Sequence, residues 1–98
     1  MEKGTPHCPL VIVKTLIDAG KVRSTVSALA GAAALGFDFD GILGVIRALS
    51  QTDFYKSMTT QADHRVWQDV YRPTTAAGEV YLKLTVIDDV LIVSLKEL

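Results

Sequence analysis

The chain has 98 residues, of which 49% are hydrophobic and 21% charged. This is the composition of one globular domain and excludes a disordered chain. With a single cysteine, Cys8, an intramolecular disulfide is excluded, and His7 with Cys8 are too few ligands for a metal site. The net charge of −1 excludes a strongly basic protein, so any binding of phosphate has to come from cations clustered locally. The first residues lack an apolar signal region and the run from Pro9 to Val13 is too short to cross a membrane, so we expect a cytoplasmic protein.

The first half of the chain has the apolar spacing of helices. Pro9 suits a first helical turn, and apolar residues recur at helical intervals until Gly20. A second helix is predicted over 25–35, with Ser24 or Thr25 as its N-cap. Its alanines predict close packing on a neighbour. A third is predicted over about 40–49, capped by Asp38 or Asp40.

From about residue 53 the sequence is rich in strand-forming residues. Four strands are predicted, over 54–59, 65–72, 80–87 and 90–96. A polar turn over 61–64 and a loop over 73–78 separate the first three. Helices followed by strands predict an α+β fold of one domain over 1–98, in which the N-terminal helices pack on one face of a mostly antiparallel sheet.

The last two strands predict a hairpin closed by Asp88 and Asp89. In that register Ile87 pairs with Val90 and Thr85 with Ile92, while Tyr81 pairs with Lys96. Alternation then predicts an apolar face that covers the helices, made of Leu82, Leu84, Val86, Leu91, Val93 and Leu95. The opposite face carries Tyr81, Lys83, Ser94 and Lys96.

The two preceding strands extend this opposite face. Trp67 and Tyr71 are predicted to enter the core, which leaves Gln68 and Arg72 on the open side. The full set predicted on the open face is Lys56, Gln68, Arg72, Tyr81, Lys83 and Lys96. A solvated sheet face is one interpretation, since antiparallel sheets commonly expose one side to water. The other is an anion site, because four cations gather there.

Several long strings closely resemble the motility quorum-sensing regulator (MqsR) toxins. They are DFYKSMTT at 53–60, Asp63-His64, WQDVYRP at 67–73, VYLK at 80–83 and DVLIVS at 89–94. The resemblance covers essentially the whole chain. It implies a RelE-like fold and a type II toxin that cuts single-stranded mRNA, independently of the ribosome, at GC-containing sites such as GCU. It also implies a cognate antitoxin that binds zinc and DNA, so that DNA is contacted only through the antitoxin.

The resemblance also implies roles for individual residues. Those that match the family's active site are Lys56, Gln68, Tyr81 and Lys96. Those that match supporting positions are Tyr55, Met58 and Arg72. Two positions depart from the family pattern, because Gln61 stands where an aromatic is expected and Leu95 where phenylalanine is expected. A lost aromatic at position 61 is expected to weaken stacking on a base.

An RNA substrate suits these residues because it carries its own nucleophile, the 2′-hydroxyl. No group of His, Asp and Glu has metal-ligand spacing, so we expect a metal-independent reaction without a cofactor. Lys56 or Lys96 is the expected base and charge stabiliser, with a pKa lowered by neighbouring cations and partial burial. Tyr81 is a candidate proton donor or phosphate contact, and Arg72 a phosphate ligand. Gln68 is expected to orient the scissile group or read a base edge.

Three further residues belong to the candidate site, and two of them, His64 and Met58, have two interpretations each. Lys83 is predicted to bind substrate on the open face. His64 is expected at the surface of a turn, with phosphate contact as its alternative role. Met58 packs against a base or at the edge of the core.

Two other functions remain open from the sequence. In the first, the chain is a catalytically weak or inactive binding module that acts through its partner, for instance through an exposed edge strand. Alternatively it is a metal-dependent nuclease or a regulatory domain for a small molecule. Cleavage that is insensitive to EDTA would exclude the metal-dependent nuclease.

Overall fold

A computed structural model describes residues 1–98 as three helices against one face of a sheet. The helices are α1 Leu10–Asp18, α2 Val26–Ala34 and α3 Phe39–Arg47, followed by a 3-10 turn at Gln51–Asp53. The strands are β1 Glu2–Lys3, β2 Val22–Ser24, β3 Phe54–Thr59, β4 Trp67–Tyr71, β5 Thr74–Thr75, β6 Gly78–Ile87 and β7 Asp89–Glu97. The main sheet has the order β1-β3-β4-β6-β7-β2, with β5 paired to β6. Only β2 and β7 pair in parallel, so the predicted α+β class is confirmed and the architecture fits a RelE-like fold.

The helices begin where short polar side chains or proline were predicted to start them. Thr25 accepts a hydrogen bond from the Ala28 N–H at the start of α2, and Asp38 accepts one from the Gly41 N–H at the start of α3. Each cap satisfies a backbone donor that has no partner inside the helix.

No single helix is long and apolar enough to span a membrane; α2 and α3 reach that length and composition only as a pair bent by 87°.

Helix α2 lies very close to β7. A Cβ atom added at Gly31 would overlap the carbonyl oxygen of Leu95, and Ala28 and Ala32 are fully buried. The close packing expected from the alanines is therefore confirmed. Small residues allow the two backbones to approach where a larger side chain would hold them apart.

Three short strands were not predicted: β5 lies within the segment 73–78 that was predicted as a loop, and β1 and β2 are the two edges of the main sheet. β1 pairs with β3, while β2 lies between α1 and α2 and pairs with β7. The N–H of Thr25 donates to the carbonyl of Ile92, and that of Val90 to the carbonyl of Lys21. Two or three residues are too few to carry an alternating pattern, so only their partner strands reveal them.

The predicted register of the final hairpin is wrong at its turn and correct at its far end. Asp88 alone, with a φ of 67°, separates Ile87 from Asp89, and these two residues pair. Asp tolerates this left-handed conformation better than most residues. A β-bulge at Val93 then adds one residue to β7, so that Lys83 pairs with Ser94 and Tyr81 with Lys96 as predicted.

Between turn and bulge, the one-residue shift exchanges the faces of β7. Val90 and Ile92 are fully buried in the core, whereas Leu91 and Val93, predicted to be there, are only half-buried on the other side. The predicted Ile87–Val90 and Thr85–Ile92 pairs are likewise wrong. The reason is that side chains alternate with period two, so a slip of one residue inverts the whole segment. Beyond the bulge Leu95 returns to the core as predicted.

The core lies between the helices and the sheet as one cluster of 16 buried residues that includes Tyr71. Trp67, also predicted there, is instead half-buried at its margin. Its ring stacks on His7 at 5.5 Å between centroids, and the Lys3 ammonium lies 4.1 Å from its centre. The N-terminal segment therefore covers this end of β4.

Candidate active site

The sheet face opposite the helices gathers most of the predicted polar residues. Lys56 of β3 and Lys83 of β6 both pair with Val70 of β4, and Lys83 also pairs with Ser94. Residues directly opposite one another in antiparallel strands point to the same side of the sheet. Val70 is fully buried and lies outside the core cluster, so it forms the floor between two lysines.

Further cross-strand pairs beside these lysines complete the surface that we call the cationic face. It consists of Tyr55, Lys56, Arg72, Tyr81, Lys83 and Lys96, and Met58 and Gln68 lie at its side. Met58 pairs with Gln68, and Tyr81 pairs with Lys96. The Lys96 ammonium lies 5.3 Å and the Lys83 ammonium 5.8 Å from the centre of the Tyr81 ring. Attraction of both ammonium groups to the ring offsets part of their mutual repulsion.

Tyr55 reaches the cationic face through an irregularity in β3. The register against β4 shifts between Phe54 and Lys56, which places Tyr55 on a bulge. Tyr55 is 49% exposed, with the Arg72 guanidinium carbon 4.9 Å and the Lys56 ammonium 5.4 Å from its ring centre. Strict alternation excludes Tyr55 from this face, and the bulge that brings it there is visible only in the pairing of β3 with β4.

Lys56 makes an ion pair that the sequence analysis missed. Its Nζ atom lies 2.8 Å from Oε2 of Glu2, on the short strand β1. The hydrogen bond that Lys56 donates to the Glu2 carboxylate raises the pKa of Lys56, and the same bond lowers the pKa of Glu2. We expected neighbouring cations to lower the pKa of Lys56 or Lys96; for Lys56 this is wrong, because a carboxylate lies closer.

Lys83 has the opposite electrostatic environment. Burial lowers its pKa, and the charges of Lys96 and Lys56 lower it further. Lys83 is therefore the lysine of the cationic face that burial and like charges push toward its neutral form.

An open groove of about 600 Å³ runs along the side of the cationic face. It lies between Glu2, Met58, Gln61, Gln68 and Lys83. His64 is exposed in the turn after β3 and lines neither this groove nor the one beside Tyr55. The structure thus does not bring His64 to the site. No three His, Cys, Asp or Glu side chains come together as metal ligands.

Comparison with known proteins identifies the family. A family profile described as "Motility quorum-sensing regulator, toxin of MqsA" matches residues 5–97. The chain belongs to this family. The mRNA interferase toxin MqsR of Escherichia coli (strain K12) is 64% identical over 97 residues, which span 99% of each chain. The predicted resemblance is confirmed, and an antitoxin partner goes with the family because the family is defined as the toxin of MqsA.

In this member of the MqsR family, the two departures from the expected pattern lie in different places. Gln61 is exposed and lines the groove beside Met58 and Gln68. Leu95 is buried in the core beneath α2. The change at position 61 therefore concerns the surface next to the cationic face, and the change at position 95 concerns packing.

Proposed function

We propose that this MqsR-family toxin is a metal-independent and ribosome-independent endoribonuclease. Its substrate is single-stranded mRNA, cut at GC-containing sites such as GCU, which is consistent with a cytoplasmic place of action. The observation that carries the proposal is the convergence of four cations and Tyr81 on one sheet face. A protein of net charge −1 that concentrates cations in this way has a local site for a phosphodiester.

The reaction uses the RNA's own 2′-hydroxyl as the nucleophile. Arg72, Lys83 and Lys96 bind the scissile phosphate and stabilise the charge that develops on it. Tyr81 donates a proton to the leaving oxygen or contacts the phosphate. The products are a 2′,3′-cyclic phosphate, or the 3′-phosphate after hydrolysis, and a 5′-hydroxyl.

The remaining residues of the site hold the substrate. Gln68 orients the scissile group or reads a base edge, while Tyr55 and Met58 contact bases. Lys56 acts as the charge stabiliser, because its raised pKa keeps it protonated at neutral pH and unfit to accept a proton. The cognate antitoxin is proposed to be of the zinc-binding and DNA-binding type.

The test is cleavage of a defined single-stranded RNA by the purified protein in EDTA. Lys56→Ala and Tyr81→Ala are each expected to reduce the rate by about 10²-fold or more. Lys21→Ala, an exposed lysine outside the cationic face, serves as the matched control and is expected to cleave like the parent. A well-folded parent that cleaves none of several RNAs rich in GC steps would contradict the proposal and favour a binding module without catalysis.

A further inference from the structure

Glu2 is the carboxylate that is ion-paired to the cationic face. Of the four ion pairs in the protein, only Lys56–Glu2 includes a cation of this face. The Glu2 side chain is 59% exposed and lines both grooves that border the face. A substrate in either groove therefore meets this carboxylate.

The N-terminal segment is fastened so that Glu2 is held at this position. β1 pairs with β3, with Glu2 opposite Met58. The carboxylate of Asp69, buried on the other side of the sheet, accepts hydrogen bonds from the backbone N–H groups of His7 and Cys8, at 2.9 and 3.0 Å. Because charge-assisted hydrogen bonds are stronger than neutral ones, they anchor this segment beyond the pairing of a two-residue strand.

Cleavage by a 2′-hydroxyl needs a base that is unprotonated at neutral pH. Lysine, arginine and tyrosine side chains are ordinarily protonated there, whereas glutamate is ordinarily ionised. Lys56 is further held in its charged form by Glu2 itself. Glu2 is thus the group at this face whose ordinary state is the one that a base requires.

The strand order also separates Glu2 from the proposed acid. Glu2 lies on β1 and Tyr81 on β6, with β3 and β4 between them. Three strand spacings are about 14 Å, which leaves room for a phosphodiester between the two side chains. In an in-line displacement the attacking and leaving oxygens lie on opposite sides of the phosphorus, so base and acid must approach from opposite sides as well.

We propose that Glu2 is the general base of this site, an inference that rests on the proposed ribonuclease function. The Glu2 carboxylate takes the proton of the 2′-hydroxyl as the 2′-oxygen bonds to phosphorus. The bond from phosphorus to the 5′-oxygen breaks, and that oxygen takes a proton from Tyr81. The Lys56 ammonium stabilises the phosphorane. Solvent then removes the proton from Glu2 and reprotonates Tyr81, so that no proton is gained or lost.

The experiment compares Glu2→Gln, Glu2→Asp and the parent on one single-stranded RNA that contains GCU. Glutamine still accepts a hydrogen bond from Lys56 but is not a base. We expect Glu2→Gln to lower kcat by about 10²–10⁴-fold and to lose the acid limb of the parent's pH–rate profile. Glu2→Asp is expected to recover part of kcat. Binding of the same RNA with a 2′-deoxy nucleotide at the cleavage site should stay within about three-fold of the parent, because only ground-state binding is measured there.

Asp18→Asn is the matched control, because it removes a carboxylate from an exposed ion pair with Arg47 on the helices. The base role is overturned if Glu2→Gln keeps the parent's kcat and pH profile, in which case Lys83 is the next base to test. It is equally overturned if Glu2→Gln loses RNA binding and cleavage in parallel, since that indicates a structural role. A folded parent that cleaves no RNA overturns the ribonuclease proposal and this one with it, a result distinct from failure of the variant alone.

Discussion

Tyr81 and Lys96 face each other across β6 and β7, with the Lys96 ammonium 5.3 Å from the centre of the tyrosine ring. This contact allows the ring and the hydroxyl of Tyr81 to be tested separately. Tyr81→Phe keeps the ring beside the ammonium groups of Lys83 and Lys96. We expect it to bind a 2′-deoxy-substituted RNA like the parent but to cleave about 10²-fold more slowly, because only the proton donor is lost.

Tyr81→Ala is the companion variant and is expected to weaken RNA binding as well, since the cations lose the ring that offsets their repulsion. Parent-like cleavage by Tyr81→Phe would show that the hydroxyl takes no part in the reaction. Single-turnover rates together with equilibrium binding make this distinction.

Lys83 is expected to cost stability while it serves binding. Because its pKa is lowered in the folded protein, the unfolded chain binds more protons between the lowered and the ordinary pKa. Stability therefore rises with pH through that window, and the cost is fully present below it. Lys83→Met should be more stable than the parent at pH 7, with the difference shrinking as the pH rises. Urea unfolding at several pH values measures this, and a less stable variant at pH 7 would contradict it.

The same substitution is expected to weaken binding of single-stranded RNA. The slope of log K against log salt concentration should fall by about 0.7, the value for one phosphate contact on a single strand. Lys21→Met, on an exposed lysine away from the cationic face, should leave the slope unchanged. Equal slopes for both variants would place Lys83 outside the RNA path.

An aromatic side chain at position 61 is expected to tighten the binding of RNA. Gln61 lines the groove beside the cationic face, so Gln61→Tyr places a ring where an RNA base can stack. We expect RNA binding to tighten by about 1–3 kcal/mol, the usual range for one stacked base. His64→Tyr, in the same turn but outside the groove, is the control. If both variants gain equally, the effect is general hydrophobicity rather than the groove.

Replacement of two helical glycines by alanine is expected to change the free energy of unfolding in opposite directions. A Cβ at Gly31 overlaps the carbonyl oxygen of Leu95, so Gly31→Ala should reduce the free energy of unfolding by about 1–3 kcal/mol. A Cβ at Gly44 meets nothing within 4 Å, so Gly44→Ala should raise it by about 0.5–1 kcal/mol through helix propensity. Urea midpoints decide the matter; a Gly31→Ala variant as stable as the parent would disprove the close approach of α2 and β7.

Much of the cationic face follows from period-two alternation in the strands. Lys56 and Gln68 share a face with Tyr81, Lys83 and Lys96 because their positions in paired strands have the same parity, as predicted. Tyr55 did not follow from parity, because a bulge turns it toward Arg72. Alternation predicts regular segments well and fails at each inserted residue.

The sequence by itself determined the order of the three helices and the four longer strands and the apolar face of β6, and it narrowed two helix caps to Ser24 or Thr25 and to Asp38 or Asp40, because these features depend on neighbours along the chain. It also identified the family, since long ungapped strings are specific. Only the tertiary structure decided that Glu2 reaches Lys56, that Trp67 stacks on His7 and that β2 joins β7. Glu2 and Lys56 are 54 positions apart and come into contact only in the folded chain. A two-residue strand such as β1 is too short to carry a sequence pattern that predicts this contact.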